Sequence, residues 1–104
     1  MNHIKLTGKI SRVGQLKYTP SGLPLLEFTL AVPQVAYGKE TVGYHEVVVT
    51  GSEAEEIRQK LKIGIEILVE GQLFQRNFRN RAGNRVSETK IILGKVGGKN
   101  ETIR

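Results

Sequence analysis

Val47-Val48-Val49-Thr50-Gly51-Ser52-Glu53-Ala54-Glu55-Glu56-Ile57-Arg58-Gln59-Lys60-Leu61 changes its period at Gly51. Before the glycine lies a β-branched run that reads as a strand beginning at Tyr44. After it, Ala54, Ile57 and Leu61 recur at helical spacing. Ser52 and Glu55 fit a capping box, and Glu53, Glu55 and Glu56 put negative charge at the positive end of the helix dipole. Arg58, Lys60 and Lys62 sit towards the other end, and Gly64 is the predicted stop. A single short helix with a narrow apolar stripe can plug the end of a β structure; it cannot build a core alone.

Downstream, the period returns to two. Ile65, Ile67, Val69, Gly71 and Leu73 are expected to face inward, with Glu66, Glu70 and Gln72 outward. Val86–Val96 repeats the pattern, with Thr89, Ile91 and Leu93 on one side. Upstream, Leu26, Phe28, Leu30 and Val32 alternate within Leu25–Val32, and Pro33 is expected to end or edge that strand. Tyr18-Thr19-Pro20-Ser21-Gly22 reads as a turn, with Pro20 fixing φ and Gly22 supplying a positive φ near its end. Gln34–Gly43 reads as a hairpin loop. At the N-terminus Ile4, Leu6, Gly8 and Ile10 share one side of a further strand. Gly8 and Gly71 interrupt apolar faces in mid-strand, a signal for bending.

The order is therefore three strands, a helix and two strands. That order predicts an all-β fold, an OB-fold five-stranded Greek-key barrel with one short helix between strands three and four. Residues 1–97 form the expected domain, and 98–104, rich in Gly and polar residues, form an expected flexible C-terminal tail. At 104 residues the chain has enough length for one core and not for two.

Composition narrows the chemistry. Lys and Arg number 16 against 10 acids, giving a formal charge of +6, and every acid is Glu. With no Cys, no Asp and only His3 and His45, neither thiolate metal sites nor Ser-His-Asp triads can be built. No metal or cofactor is expected. No apolar run approaches the roughly 20 residues of a membrane span, and Met1–Lys5 does not resemble a signal segment. The helix explains Glu53, Glu55 and Glu56, a solvated strand face explains Glu66 and Glu70, and no phosphate-binding loop or nucleophile elbow occurs. The expectation is a cytoplasmic, non-enzymatic binding module with no membrane partner, its excess positive charge suited to a polyanion.

The strongest binding signal is Gln75–Arg85, which holds Arg76, Arg79, Arg81 and Arg85, no acid, and one aromatic, Phe78. Guanidinium groups bind phosphate bidentately and stack on bases, and Phe78 offers a flat face for stacking. The same residues also fit a solvated hairpin tip. Tyr37 and Tyr44 suit a wet stacking site, or else a rim over the core. Lys5, Lys9, Arg12 and Lys17 form a charged row that reads mainly as a solvated face or a guarded strand edge. Of these, Lys17 is the candidate for DNA contact. Tyr18, beside the Pro20 turn, reads as structural.

Taken together, Tyr18–Gly22, Phe28-Thr29-Leu30-Ala31, Tyr44–Gly51 and Val69-Glu70-Gly71-Gln72-Leu73 resemble the bacterial single-stranded DNA-binding protein family, over residues 3–96. The resemblance implies an OB-fold homodimer, with a tetramer as the alternative, that binds single-stranded DNA without strong sequence choice. Phe78 matches a stacking aromatic of that family, Tyr44 stands where the family has a stacking Trp, and Tyr37 is close to another aromatic position. Arg76, Arg79, Arg81 and Arg85 occupy the basic loop between the last two strands. His45 matches a subunit-interface position, and the stretch from Asn2 to Lys9 resembles a strand that pairs edge to edge between subunits.

Within the family, Pro20-Ser21-Gly22-Leu23-Pro24 looks most like the primosomal branch, in which a basic position matches Lys17. The C-terminus, Asn100–Arg104, lacks an acidic partner-binding tail, which points the same way. Tyr44-His45 and the Ser52–Leu61 helix look closer to the replicative branch. The main expectation is single-stranded DNA binding in replication restart, with the restart helicase and helicase-loading proteins of the primosome as partners. The alternatives are a tailless replicative-type binder and an OB-fold protein–protein adaptor.

Overall fold

The structure is a computed structural model, described here for residues 1–93. Six strands and one helix follow in chain order: β1 (Ile4–Val13), β2 (Lys17–Tyr18), β3 (Pro24–Ala36), β4 (Lys39–Thr50), α1 (Ser52–Lys60), β5 (Glu66–Arg79) and β6 (Arg85–Leu93). The sheet runs β1-β5-β6-β4-β3-β2, and a further β1–β3 pairing closes it into a barrel. The expected five-stranded barrel with a helix before its fourth strand is what forms; the two-residue β2 is an addition, pairing with β3 through Lys17↔Leu25.

Closure depends on β1 serving two neighbours. Ile4–Lys9 pair with β5, and from Lys9 onward the strand pairs with β3, with a bulge between Ile10 and Arg12. The bend thus falls just after Gly8 rather than at it. Gly8 and Gly71 mark close approaches instead: a side chain at either would run into a neighbouring strand's carbonyl, Ala31 for Gly8 and Ile92 for Gly71.

Alternation places Ile10, Leu26, Phe28, Leu30, Val47, Val49, Ile67, Val69 and Ile91 inside, all essentially without exposure. Ala54, Ile57 and Leu61 of the helical stretch complete this cluster, as their spacing predicts. The capping box does not form. Gly51 is the N-cap, at φ 87, with no side-chain cap, and Ser52 is already the first helical residue. The sharp corner from β4 needs a positive φ there, so glycine displaces the serine from the capping position. At the other end the helix stops at Leu61, which is extended. Gly64 lies beyond, where its N–H donates to Ile10 O at 2.7 Å and ties the exit to β1.

Both long hairpins outrun the sequence expectation. Pro33 does not end its strand: β3 continues to Ala36 and pairs with β4 down to Ala36↔Lys39. Beyond Ala31 the pairing partner of β3 is β4 alone, and such a one-sided strand tolerates proline. Gln34–Gly43 is therefore mostly strand, with a two-residue turn at Tyr37-Gly38 where both φ values are positive, 53 and 74. Likewise β5 reaches Arg79, so only residues 80–84 form the turn to β6. Asn80 closes that turn, accepting from Asn84 N on its side-chain oxygen at 3.0 Å. Leu73, expected inward, is 46% exposed because it lies past Gly71, the last β5 residue paired with β1; Ile91 opposite it stays buried, and only beyond that pair do both faces of the β5–β6 arm meet solvent. Thr89, on the same extension, is exposed too. Residues 94–96 of the expected last strand, the domain boundary at 97 and the tail at 98–104 lie outside the described residues.

Candidate nucleic-acid interface

β4 and β6 touch in parallel, through Val47↔Ile91 and Val48↔Ile92. Their N-terminal halves therefore set off from the barrel in the same direction, each as one strand of a long hairpin. The β3–β4 hairpin ends in Tyr37, and the β5–β6 arm ends in Arg81.

Register decides which face each side chain occupies. On the outer face of the sheet, Thr29 stands opposite Glu46 and Ala31 opposite Tyr44. On the arm, Phe74 stands opposite Lys90, Arg76 opposite Glu88 and Phe78 opposite Val86. Lys90 stitches these strands together: its Nζ lies 2.6 Å from Glu27, 3.1 Å from Glu88 and 3.9 Å from Glu46. Phe74, Arg76 and Phe78 thus share the face that holds Tyr44. Arg76 lies over the Phe78 ring, 4.6 Å from its centroid, and pairs with Glu88 at 3.5 Å.

The four arginines are not one cluster. Arg79 and Arg85 stand directly opposite each other on the other face of the arm, and Arg81 sits in the turn. Two like charges at a directly opposed position destabilise a hairpin. Arg79 also donates to Gly83 O at 3.3 Å, and with Asn77, Phe78 and Arg85 it lines an open hollow of about 470 Å³. Phosphate is a natural counter-charge for such a pair.

Tyr44 is 67% exposed on the outer face, and Tyr37 is wholly exposed at the hairpin tip. Neither covers the core. Lys17 lines a second, larger cleft of about 590 Å³, together with Arg12, between the turn after β1 and the outer face. The floor of this cleft is not basic. Glu27, Glu46 and Glu88 outnumber Lys90 there. The Glu27 carboxylate, and then Glu88, push the Lys90 ammonium above its usual range against an opposing effect of partial burial. Lys90 in turn holds Glu88 below the usual carboxylate range, with Arg76 adding to the effect. Cationic charge is thus available at the cleft rim and along the arm, and is spent internally on the floor.

Phe74 escaped the sequence reading. It is 47% exposed and lies two residues before Arg76 and four before Phe78. The period-two spacing Phe74, Arg76, Phe78 is the signal that finds it, once the strand is known to continue past Gly71. Arg12, read as part of a solvated row, is brought to the cleft mouth beside Lys17 only by the curl of β1.

A family model described as the single-strand binding protein family matches residues 1–97. The chain belongs to that family. Single-stranded DNA-binding protein 2 of Staphylococcus aureus is 32% identical over 99 residues, covering 92% of this chain and 70% of that protein. Single-stranded DNA-binding protein 3 of Listeria innocua is also 32% identical, with 92% and 62% covered. A Bacillus cereus single-stranded DNA-binding protein is 31% identical, with 92% and 58% covered. This family member thus spans roughly two thirds of the length of such relatives. A solved structure of Plasmodium falciparum SSB in complex with ssDNA matches with a TM-score of 0.79 at 24% identity, over 89% of this chain and 86% of that one, and supports the OB-type barrel. As a member of a binding-protein family, the chain is not an enzyme. Among the described residues, no helix is long and apolar enough to cross a membrane.

Proposed function

We propose that this chain binds single-stranded DNA without sequence readout. Phosphates are held by Arg79, Arg81 and Arg85 on the arm and by Lys17 and Arg12 at the cleft rim. Bases stack on Phe78 and Tyr44, with Tyr37 reaching over from the neighbouring hairpin. The observation that carries this reading is the arm itself. It is a two-stranded ribbon free of the barrel, with an aromatic-and-arginine face on one side and an opposed arginine pair on the other. A single strand offers both ligands such a ribbon needs, flat bases and closely spaced phosphates. Paired DNA hides its bases. The names of the relatives support the same reading.

Those names also favour a replicative-type single-strand binder over a restart-primosome component. The primosomal reading, with its helicase and helicase-loading partners, stands on the resemblance of Pro20–Pro24. A cytoplasmic location goes with a DNA partner. Assembly into a dimer or tetramer is supported by β1, whose Ile4–Gly8 stretch pairs with β5 on one side and leaves its other edge open.

The test is fluorescence anisotropy of a labelled oligo-dT and of a matched duplex across salt. The single strand is expected to bind more tightly, with a slope of log affinity on log salt of about −3.5, from roughly −0.7 for each of the five phosphate contacts. Equal affinity for both forms, or binding indifferent to salt, refutes the proposal. Mass in solution decides between dimer and tetramer, and direct pull-down against a restart helicase decides between the two settings.

A further inference from the structure

Among the described residues, Arg76 is the one arginine of the Gln75–Arg85 segment that pairs with a carboxylate. Cross-strand register puts Glu88 directly opposite it, and the guanidinium bridges from that carboxylate to the face of Phe78. Glu88 is itself anchored, with Lys90 3.1 Å from its other oxygen, and Lys90 is held by Glu27 on β3. The chain Glu27–Lys90–Glu88–Arg76–Phe78 therefore runs from the barrel wall out onto the arm. Its last link covers one face of the Phe78 ring.

Resting on the proposed single-stranded DNA binding, we infer that Glu88 is an internal stand-in for a DNA phosphate: it holds Arg76 across Phe78 in the free protein, and an incoming strand must take Arg76 from it. Glu88 is thus a positioning residue that lowers affinity and removes Arg76 from the salt dependence. A phosphate that captures an unpaired arginine releases its condensed counterion to solution. When the arginine is already neutralised by Glu88, the carboxylate set free takes up a cation as the phosphate gives one up. The exchange is then nearly neutral in salt. It also uncovers the Phe78 face at the moment a base arrives, so phosphate capture and stacking are coupled.

The consequence is measurable. In Glu88→Gln, Arg76 becomes an ordinary phosphate contact. The salt slope on oligo-dT steepens by about 0.7, and affinity rises about five-fold at roughly 0.1 M salt, with the gain disappearing towards 1 M. Two further variants separate this from the loss of any negative charge. Glu46→Gln removes the same charge from the same sheet face without touching Arg76, and is expected to leave the slope unchanged. In an Arg76→Ala background, Glu88→Gln is expected to change neither slope nor affinity.

Anisotropy titrations of the full chain with labelled oligo-dT, from about 0.05 to 1 M salt, read wild type, Glu88→Gln, Glu46→Gln, Arg76→Ala and the Arg76→Ala, Glu88→Gln double variant. Far-ultraviolet circular dichroism confirms that each is folded. If Glu88→Gln behaves like Glu46→Gln, or if its effect persists without Arg76, the stand-in role is overturned while DNA binding stands. If the wild-type chain binds no single strand at low salt, the proposed function falls, and this inference with it.

Discussion

Removing Arg79 and Arg85 together is the most direct perturbation of the arm. The two residues form a directly opposed pair on one face of β5–β6, and neither is needed by the core. Each phosphate contact on a single strand contributes about 0.7 to the salt slope, so Arg79→Ala with Arg85→Ala is expected to flatten the slope by about 1.4. At roughly 0.1 M salt this corresponds to about a 25-fold weaker complex, and towards 1 M the two proteins converge. The folded state should not suffer, because the substitution also removes a like-charge repulsion between directly opposed positions. Oligo-dT anisotropy at four or more salt concentrations, beside a thermal melt, reads both expectations. An affinity loss of the same size at every salt concentration would refute the reasoning, since it would mean lost shape rather than lost phosphate contacts. So would a melting temperature well below that of the wild type.

Phe78→Ala is expected to cost about 1–3 kcal/mol of binding, the usual loss of one stacked base, largely independent of salt; Phe74→Ala should weaken binding in the same salt-independent way if the Phe74–Arg76–Phe78 face is used as one surface, and titration calorimetry distinguishes the two. Tyr37 holds a positive φ that costs a bulky residue roughly 1 kcal/mol or more, so Tyr37→Asn is expected to raise the melting temperature while weakening oligonucleotide binding. The Lys90 cluster gives stability two pH limits. The depressed Glu88 stabilises the fold above the ordinary value of 4.5, and that contribution fades as pH falls through its lowered folded value. The raised Lys90 stabilises below the ordinary value of 10.5, and its contribution fades as pH rises through its elevated folded value. Denaturant unfolding across pH should therefore show the difference between wild type and Lys90→Met as a plateau near neutrality that shrinks at both ends. A difference that is flat across the whole range would remove the cluster's role.

Much of the barrel was legible because the signals are local. The change of period at Gly51, the apolar positions 26, 28 and 30, the helical triplet Ala54, Ile57 and Leu61, and the Thr19–Gly22 turn each depend on neighbours a few residues away. The capping box failed for a reason of tertiary origin: the corner out of β4 demands a positive φ, so Gly51 takes the capping position. The hairpin lengths were missed because Pro33 and the polar Gln34–Gly43 stretch look like a loop wherever a strand is assumed to need two neighbours. Here β3 needs only one.

What the sequence determined alone is the order of elements, the core and the presence of a basic, aromatic segment free of acid at residues 75–85. All of these follow from side-chain type and spacing along the chain. Only the tertiary structure decided what that segment is. Strand register beyond the barrel divides its arginines between two faces, turns Phe74 into a partner of Phe78, and sets Glu88 against Arg76. Closure of β1 onto β3 carries Arg12 and Lys17 to the cleft. The physical reason is that a strand's period of two says which residues share a face, while pairing across strands, over sequence gaps as long as that from Glu27 to Lys90, says what that face meets.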